Sequence, residues 1–146
     1  MAKFNKNMSI IENKRTFQRM VDLFNNTRNA DTFVDQLYDK NFVYHGIGED
    51  SEVSREGFKT IVKRMFMAFP DISIHIDDLV AENDKVAYKL TIEGTHKGEL
   101  QDIPPTGRRI SFSSVGIMIF KDGKVVEDWE VYDIMGILRQ VGALRD

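Results

Sequence analysis

Between Phe69 and Ile72 the hydrophobic period of this chain changes from that of a helix to that of a strand. Before the change, Phe58, Ile61, Val62, Met65, Phe66 and Phe69 form an unbroken apolar stripe at helical spacing. Pro70 ends the stripe, because proline has no amide to donate and disfavours helix in the residue before it. Beyond it, Ile72, Ile74 and Ile76 alternate with Ser73, His75 and Asp77, the period-two pattern of a half-buried strand. A chain that reads helices first and strands second is predicted to be α+β rather than alternating.

Local signals fill in the elements. Ser9-Ile10-Ile11-Glu12 has the form of a capping box and predicts a helix from about Ser9 to Arg28, burying Ile10, Phe17, Met20, Val21 and Phe24. Asp31 is placed to cap a short second helix with Phe33, Val34 and Leu37 inside, and Ser54 a third. Asn41 to His45 reads as a short strand between them. After the turn at Asn83-Asp84, Val86, Tyr88, Leu90, Ile92, Gly94 and His96 fall on one strand face, and Lys89, Thr91, Glu93 and Thr95 on the other. Ile110 to Phe120 and Val125 to Asp133 read as two long strands joined by Asp122-Gly123, a strong hairpin signal. A last short helix carries Ile134, Ile137, Leu138 and Val141. Long twisted strands with internal glycines bend, and a bent sheet over an amphipathic helix encloses a cone-shaped space. One small, largely apolar pocket is therefore expected.

Composition narrows the function. At 146 residues the chain is one domain, read as a polar leader over 1–8 and a single unit over 9–146. It contains no cysteine, so disulfides and thiolate chemistry are excluded. The net charge of -3, with no basic cluster denser than Lys63-Arg64 or Arg108-Arg109, argues against nucleic acid. No apolar run approaches a membrane span, and Met1 to Asn7 lacks the apolar core of a secretory signal, so a cytoplasmic location is expected by default. His45, His75 and His96 are scattered, and no metal site or cofactor is expected of them.

The last strand carries the candidate chemistry. Asp128, Glu130 and Tyr132 share one face, while Glu127, Trp129, Val131 and Asp133 share the other. Four carboxylates in seven residues are unusual for a strand, where acidic residues are depleted. Solvated, they would pair with lysines. At the floor of an apolar pocket a carboxylate loses hydration, and its pKa climbs above the glutamate reference of roughly 4.3. Such a group can serve as general base and then acid near neutral pH, taking a proton from carbon beside a carbonyl. His45 and Tyr44 on the first strand are candidate contacts at the pocket mouth. His96 reads first as a structural histidine holding a bend and second as a pocket donor.

Four segments resemble one family. Gly94-Thr95-His96-Lys97-Gly98 is similar to the "GTH-x-G" segment of the SnoaL-like polyketide cyclases, and Pro104-Pro105-Thr106-Gly107-Arg108 to their "PPTGR" loop. The run from Asp122 to Asp133 resembles their last strand, and Leu138-Arg139-Gln140-Val141-Gly142 their closing helix. The resemblance covers the chain from about residue 57 onward. It implies a nuclear-transport-factor-type cone, an α+β barrel of three N-terminal helices on a strongly curved, mostly antiparallel sheet, closed by a short helix. It also implies a homodimer or higher homo-oligomer, often built through the sheet, and a small apolar or aromatic ligand.

In characterised members an aspartate on the last strand is the acid and base of an intramolecular aldol ring closure. That position falls on Glu130 here, and the histidine that accompanies it is replaced by the stretch Ser114-Val115-Gly116-Ile117. The expected function is thus a cofactor-independent acid/base enzyme acting on a carbonyl-bearing apolar molecule. Glu130 is its catalytic residue, and Tyr44, His45, Tyr132 and His96 contact the substrate. Aldol cyclisation, isomerisation and dehydration share this enolate logic. A non-catalytic binding module or a protein-interaction domain on the same scaffold stays open, although Lys89, Thr91 and Glu93 speak against a large sticky patch on the outer sheet face.

Overall fold

The structure, a computed structural model, describes residues 6–46 and 52–144. Two helices, α1 (Lys6–Thr27) and α2 (Ala30–Leu37), are followed by β1 (Tyr38–Gly46) and a two-residue strand β2 (Val53–Ser54). Then come α3 (Arg55–Ala68), β3 (Ser73–Glu82), β4 (Lys85–Thr95), β5 (Arg109–Lys121), β6 (Lys124–Tyr132) and α4 (Ile134–Gln140). The six strands form one sheet in the order β2-β1-β6-β5-β4-β3. Only β1 and β6 run parallel, so the sheet is mixed and mostly antiparallel, as expected. β2 and β3 stand at opposite edges, so the sheet is an open cone and not a closed barrel.

Several boundaries differ from the sequence reading. α1 begins at Lys6, so Ser9 lies within the helix instead of capping it, and of the leader only residues 1–5 lie outside the described residues. Asn29, not Asp31, caps α2: its side chain accepts from the Thr32 amide at 2.9 Å, and Asp31 occupies the first turn. Ser54 caps α3 as predicted, accepting from the Gly57 amide at 3.2 Å. β1 extends three residues further back than predicted, because Tyr38 and Phe42 are both buried aromatics that the core holds in place.

The helices lie on the concave face of the sheet. α1 buries Phe17, Met20, Val21 and Phe24, and is fixed to the edge strand by Asn25. The Asn25 amide donates to the Ile74 carbonyl at 2.8 Å, and its oxygen accepts from the Ile74 amide at 2.7 Å. This pairing also blunts an edge that would otherwise be free to recruit another strand. Two strands in from that edge, Gln140 of α4 accepts from the Ser111 amide and donates to the Ser111 carbonyl, both at 2.8 Å, which anchors the closing helix on β5.

Two bulges set which residues face inward. In β3 the register slips at Asp77, so Leu79 and Ala81 continue the inward face that Ile74 and Ile76 began. In β6 it slips at Val126: Ile119 pairs with Glu127, but Phe120 pairs with Val125. An extra residue in one strand bends it and shifts the phase of the alternation. Val125 and Asp128, which strict alternation would put on opposite faces, are therefore both buried. Asp122 and Gly123 adopt positive φ values of 52° and 77°, the twist that a two-residue hairpin requires.

Candidate active site

The cone encloses a cavity of about 750 Å³. Its walls are mainly aromatic and aliphatic, among them Phe17, Phe24, Phe58, Leu90, Phe112 and Ile137. On its floor the β6 bulge turns Asp128 and Glu130 inward, two residues apart on one strand face, with Tyr132 at the rim.

Glu130 is held by three hydroxyls from three other strands. Tyr44 of β1 donates to Oε1 at 2.9 Å, while Ser114 of β5 donates to Oε2 at 2.8 Å and Tyr88 of β4 at 3.5 Å. Tyr88 is shared, for its hydroxyl also lies 2.9 Å from Asp128 Oδ1. Asp128 is 2% exposed, whereas Glu130 keeps partial access because it faces the cavity. Burial pushes the Glu130 carboxyl above its ordinary value, against the pull of the Ser114, Tyr44 and Tyr88 hydroxyls, which favour the anion. Burial pushes Asp128 well above the usual carboxylate range, and the neighbouring Glu130 charge adds to this. Tyr44 and Tyr88 are likewise held as neutral phenols, first by burial and then by the carboxylates beside them. The floor therefore offers a carboxylate that is a stronger base than one in water, ringed by hydroxyls that remain donors.

Ser114 stands where the last but one strand must leave room. The inward row of β5 runs Ile110, Phe112, Ser114, Gly116, Met118, Phe120, with two small residues in the middle of large ones. Ser114 and Tyr88 were not foreseen as site residues, and Asp128 was recognised only as a neighbour of Glu130. An inward serine and glycine in an otherwise bulky row was the signal available in the sequence.

Two expected contacts lie elsewhere. His45 alternates with the buried Tyr44 and so points to the outer face of the sheet. There its ring stacks on Trp129, with centroids 3.8 Å apart and planes at 8°, and its Nε2 sits 2.9 Å from Glu127 Oε1. His96 is fully buried and does not line the cavity. It clamps the proline loop: the Thr106 amide donates to Nδ1 at 3.3 Å, the Thr106 hydroxyl lies 3.0 Å away, and the His96 amide donates to the Arg108 carbonyl. That is the bend-holding role, not the pocket-donor role. Among the described residues no group of three or more His, Asp or Glu side chains is placed to hold a metal ion.

The family description "SnoaL-like polyketide cyclase" matches residues 14–141. The chain belongs to the SnoaL-like polyketide cyclase family. It is 29% identical over 129 residues to the aklanonic acid methyl ester cyclase of Streptomyces peucetius, covering 86% of this chain and 87% of that one. Among solved structures it is similar to AclR, a candidate hydroxylase from Streptomyces galilaeus, at 32% identity and a TM-score of 0.85, over 94% of this chain and 89% of that one. It is also similar to IdmH, a candidate polyketide cyclase from Streptomyces antibioticus, at 27% identity and a TM-score of 0.77, over 89% of this chain and 98% of that one.

Proposed function

We propose that this SnoaL-like protein closes a ring in a polyketide by intramolecular aldol addition, with Glu130 as general base and acid. The observation that carries the reading is the Glu130 carboxylate, facing an apolar cavity and held by Tyr44, Ser114 and Tyr88. Glu130 takes a proton from carbon next to a carbonyl, and the C–H electron pair moves into the enolate. The enolate carbon adds to a second carbonyl of the same molecule, forming a C–C bond and an alkoxide. Glu130 then returns its proton to the alkoxide, so substrate and product are isomers and no cofactor is consumed. Tyr132 at the rim and Tyr44 at the floor orient the substrate. The many aromatic rings of the wall suit a flat, conjugated ligand.

The kinship to a polyketide cyclase and the shape of the cavity support this chemistry. A second reading, a binding module without turnover, draws on the lack of any histidine from Ser111 to Phe120, the stretch where the family resemblance implies one, and the similarity to a candidate hydroxylase is a reminder that one scaffold hosts several chemistries. Glu130→Gln separates the two. It replaces the carboxylate by a carboxamide of the same shape and leaves the cavity intact, so ligand affinity should persist while turnover of a polyketide ester is abolished. Equal turnover by the two proteins would sink the assignment.

We further propose that the protein is a homodimer built through the outer face of the sheet. β4 presents Lys89, Thr91 and Glu93 there, as the sequence suggested. However, Val115 and Ile117 of β5 and Trp129 and Val131 of β6 are 39–46% exposed on the same face. The outer face is therefore more apolar than the sequence reading allowed, and a patch of this kind marks an interaction surface.

A further inference from the structure

Asp128 has no task in the reaction set out above, yet it is the one acid among the described residues that is buried outright. It shares a strand face with Glu130, and a single hydroxyl, that of Tyr88, lies 2.9 Å from Asp128 Oδ1 and 3.5 Å from Glu130 Oε2. Two negative charges this close in apolar surroundings are strongly disfavoured, so the pair holds one charge and one proton between them. The hydroxyls decide which residue is ionised. Glu130 receives two hydroxyls of its own, Tyr44 at 2.9 Å and Ser114 at 2.8 Å, with Tyr88 at 3.5 Å, whereas Asp128 reaches only Tyr88, at 2.9 Å. The charge belongs on Glu130 and the proton on Asp128.

We propose that Asp128 is a positioning residue that stores a proton for Glu130 at the far end of an Asp128–Tyr88–Glu130 chain. In the resting arrangement the protonated Asp128 carboxyl donates to the Tyr88 oxygen, and Tyr88 donates to the Glu130 carboxylate. When Asp128 passes its proton to Tyr88, Tyr88 passes its own to Glu130. Asp128 is left as the anion and Glu130 as the acid, with no change in total charge. Glu130 can thus enter the reaction as base or acid without exchanging a proton with solvent. Gly116 makes the chain possible, because any β-carbon there would stand 2.3 Å from the Tyr88 hydroxyl.

Arg64, Glu99 and Asp102 also line the cavity, but none of them hydrogen-bonds to either carboxylate. The titratable groups facing the pair are Tyr38 and Tyr44 from β1, Tyr88 from β4 and Tyr132 from β6. Ser114 adds a hydroxyl from β5, α1 packs Phe17 against Tyr88 with ring centroids 5.2 Å apart, and α3 packs Phe58 against Tyr44 at 5.2 Å. No Lys, Arg or His among the described residues forms an ion pair with either carboxylate.

The test is a carboxyl-carbon NMR titration of the whole chain carrying ¹³C-labelled aspartate and glutamate side chains, with Asp128→Asn and Glu130→Gln used to assign the two signals. Glu130 is expected to ionise first and Asp128 only at a pH higher by roughly two or more units, as in a coupled dyad. In Glu130→Gln the Asp128 midpoint should fall, because the opposing charge is gone. Independent titration of both groups near ordinary carboxylate values would overturn the proposal, and so would Asp128 ionising first. If a variant does not fold, the spacing of the two wild-type midpoints decides alone. The proposal deepens the reading of Glu130 as the base, but the titration needs no substrate. A shared proton with full turnover in Glu130→Gln would defeat that reading and leave the pair standing, and the reverse result would do the opposite.

Discussion

The Tyr88 side chain lies across the α-carbon of Gly116, its partner in the β4–β5 register, and so reaches the carboxylates of β6 one strand further on. A β-carbon at Gly116 would meet the Tyr88 hydroxyl at 2.3 Å, its Cζ at 2.5 Å and the Trp129 carbonyl oxygen at 2.3 Å. The carbonyl belongs to the sheet backbone and has little room to move. Gly116→Ala is therefore expected to destabilise the fold by about 1–3 kcal/mol, as overpacking of a dense core does. It should also push the Tyr88 hydroxyl out from between Asp128 and Glu130. Urea denaturation measures the first effect. Gly116→Ala combined with Tyr88→Ala relieves only the ring contacts, so it should recover part of the loss at most; full recovery would show that the backbone contact is harmless.

The hydroxyls around Glu130 set its base strength. Each hydrogen bond to a charged group contributes roughly 1.5–3 kcal/mol, which corresponds to about one to two pH units in the midpoint. Hydrogen bonds to the anion lower a carboxyl pKa, so their removal raises it. Ser114→Ala removes the 2.8 Å bond to Oε2, and Tyr44→Phe the 2.9 Å bond to Oε1. Both should move the Glu130 midpoint upward, and the acid limb of any pH–rate profile with it. A change in kcat with no displacement of that limb would mean these hydroxyls act on substrate and not on Glu130.

Burial of the two carboxyls predicts an unusual pH dependence of stability. The Asp128 pKa is about 3.9 in the unfolded chain and well above the ordinary value in the folded one. Between those values the folded state binds more protons than the unfolded state, so stability is greatest below the unfolded pKa and falls as pH rises. The slope approaches about 1.4 kcal/mol per pH unit for one group and vanishes above the folded pKa. Glu130, raised for the same cause, adds the same sign over its own narrower window. Asp35 and Asp71 are lowered and act oppositely, but only below the ordinary carboxylate range. Asp128→Asn cannot ionise, so its stability relative to wild type should improve as pH rises from the ordinary carboxylate range toward the raised folded pKa of Asp128. Parallel denaturation curves for the two proteins across that range would show that Asp128 is not buried as a neutral acid.

Much of the fold was legible because its signals are local. The Phe58–Phe69 stripe, the Pro70 stop, the Asp122-Gly123 turn and the alternation of β4 each follow from neighbours in sequence, and all four stand in the structure. The floor of the site was only half legible. Strict alternation in β6 puts Val125, Glu127, Trp129 and Val131 on one face, three of them apolar, and would leave Asp128 and Glu130 in solvent. The bulge at Val126 reverses this, and nothing local to the strand marks it. Glu130 was found through family resemblance, while Ser114 and Tyr88 join it from strands 16 and 42 residues away in the chain. His45 was misplaced for a related reason: once Tyr44 is fixed as the buried residue, its neighbour must face out, where Trp129 and Glu127 wait for it.

The same reversal in β6 sends Trp129 and Val131 outward beside Val115 and Ile117, and this shapes the last prediction. Trp129 is fixed there, stacked on His45, with its indole nitrogen donating to Glu127 Oε1 at 2.9 Å. An apolar patch held rigid before association loses little side-chain entropy when it is covered. Wild-type protein should therefore sediment as a dimer at micromolar concentration. Ile117→Lys with Val131→Lys, placed on the exposed face and away from the cavity, should sediment as a monomer with an unchanged far-ultraviolet circular dichroism spectrum. A wild-type monomer would remove the sheet face as the dimer surface. A dimer that survives both lysines would move the interface to another face of the cone.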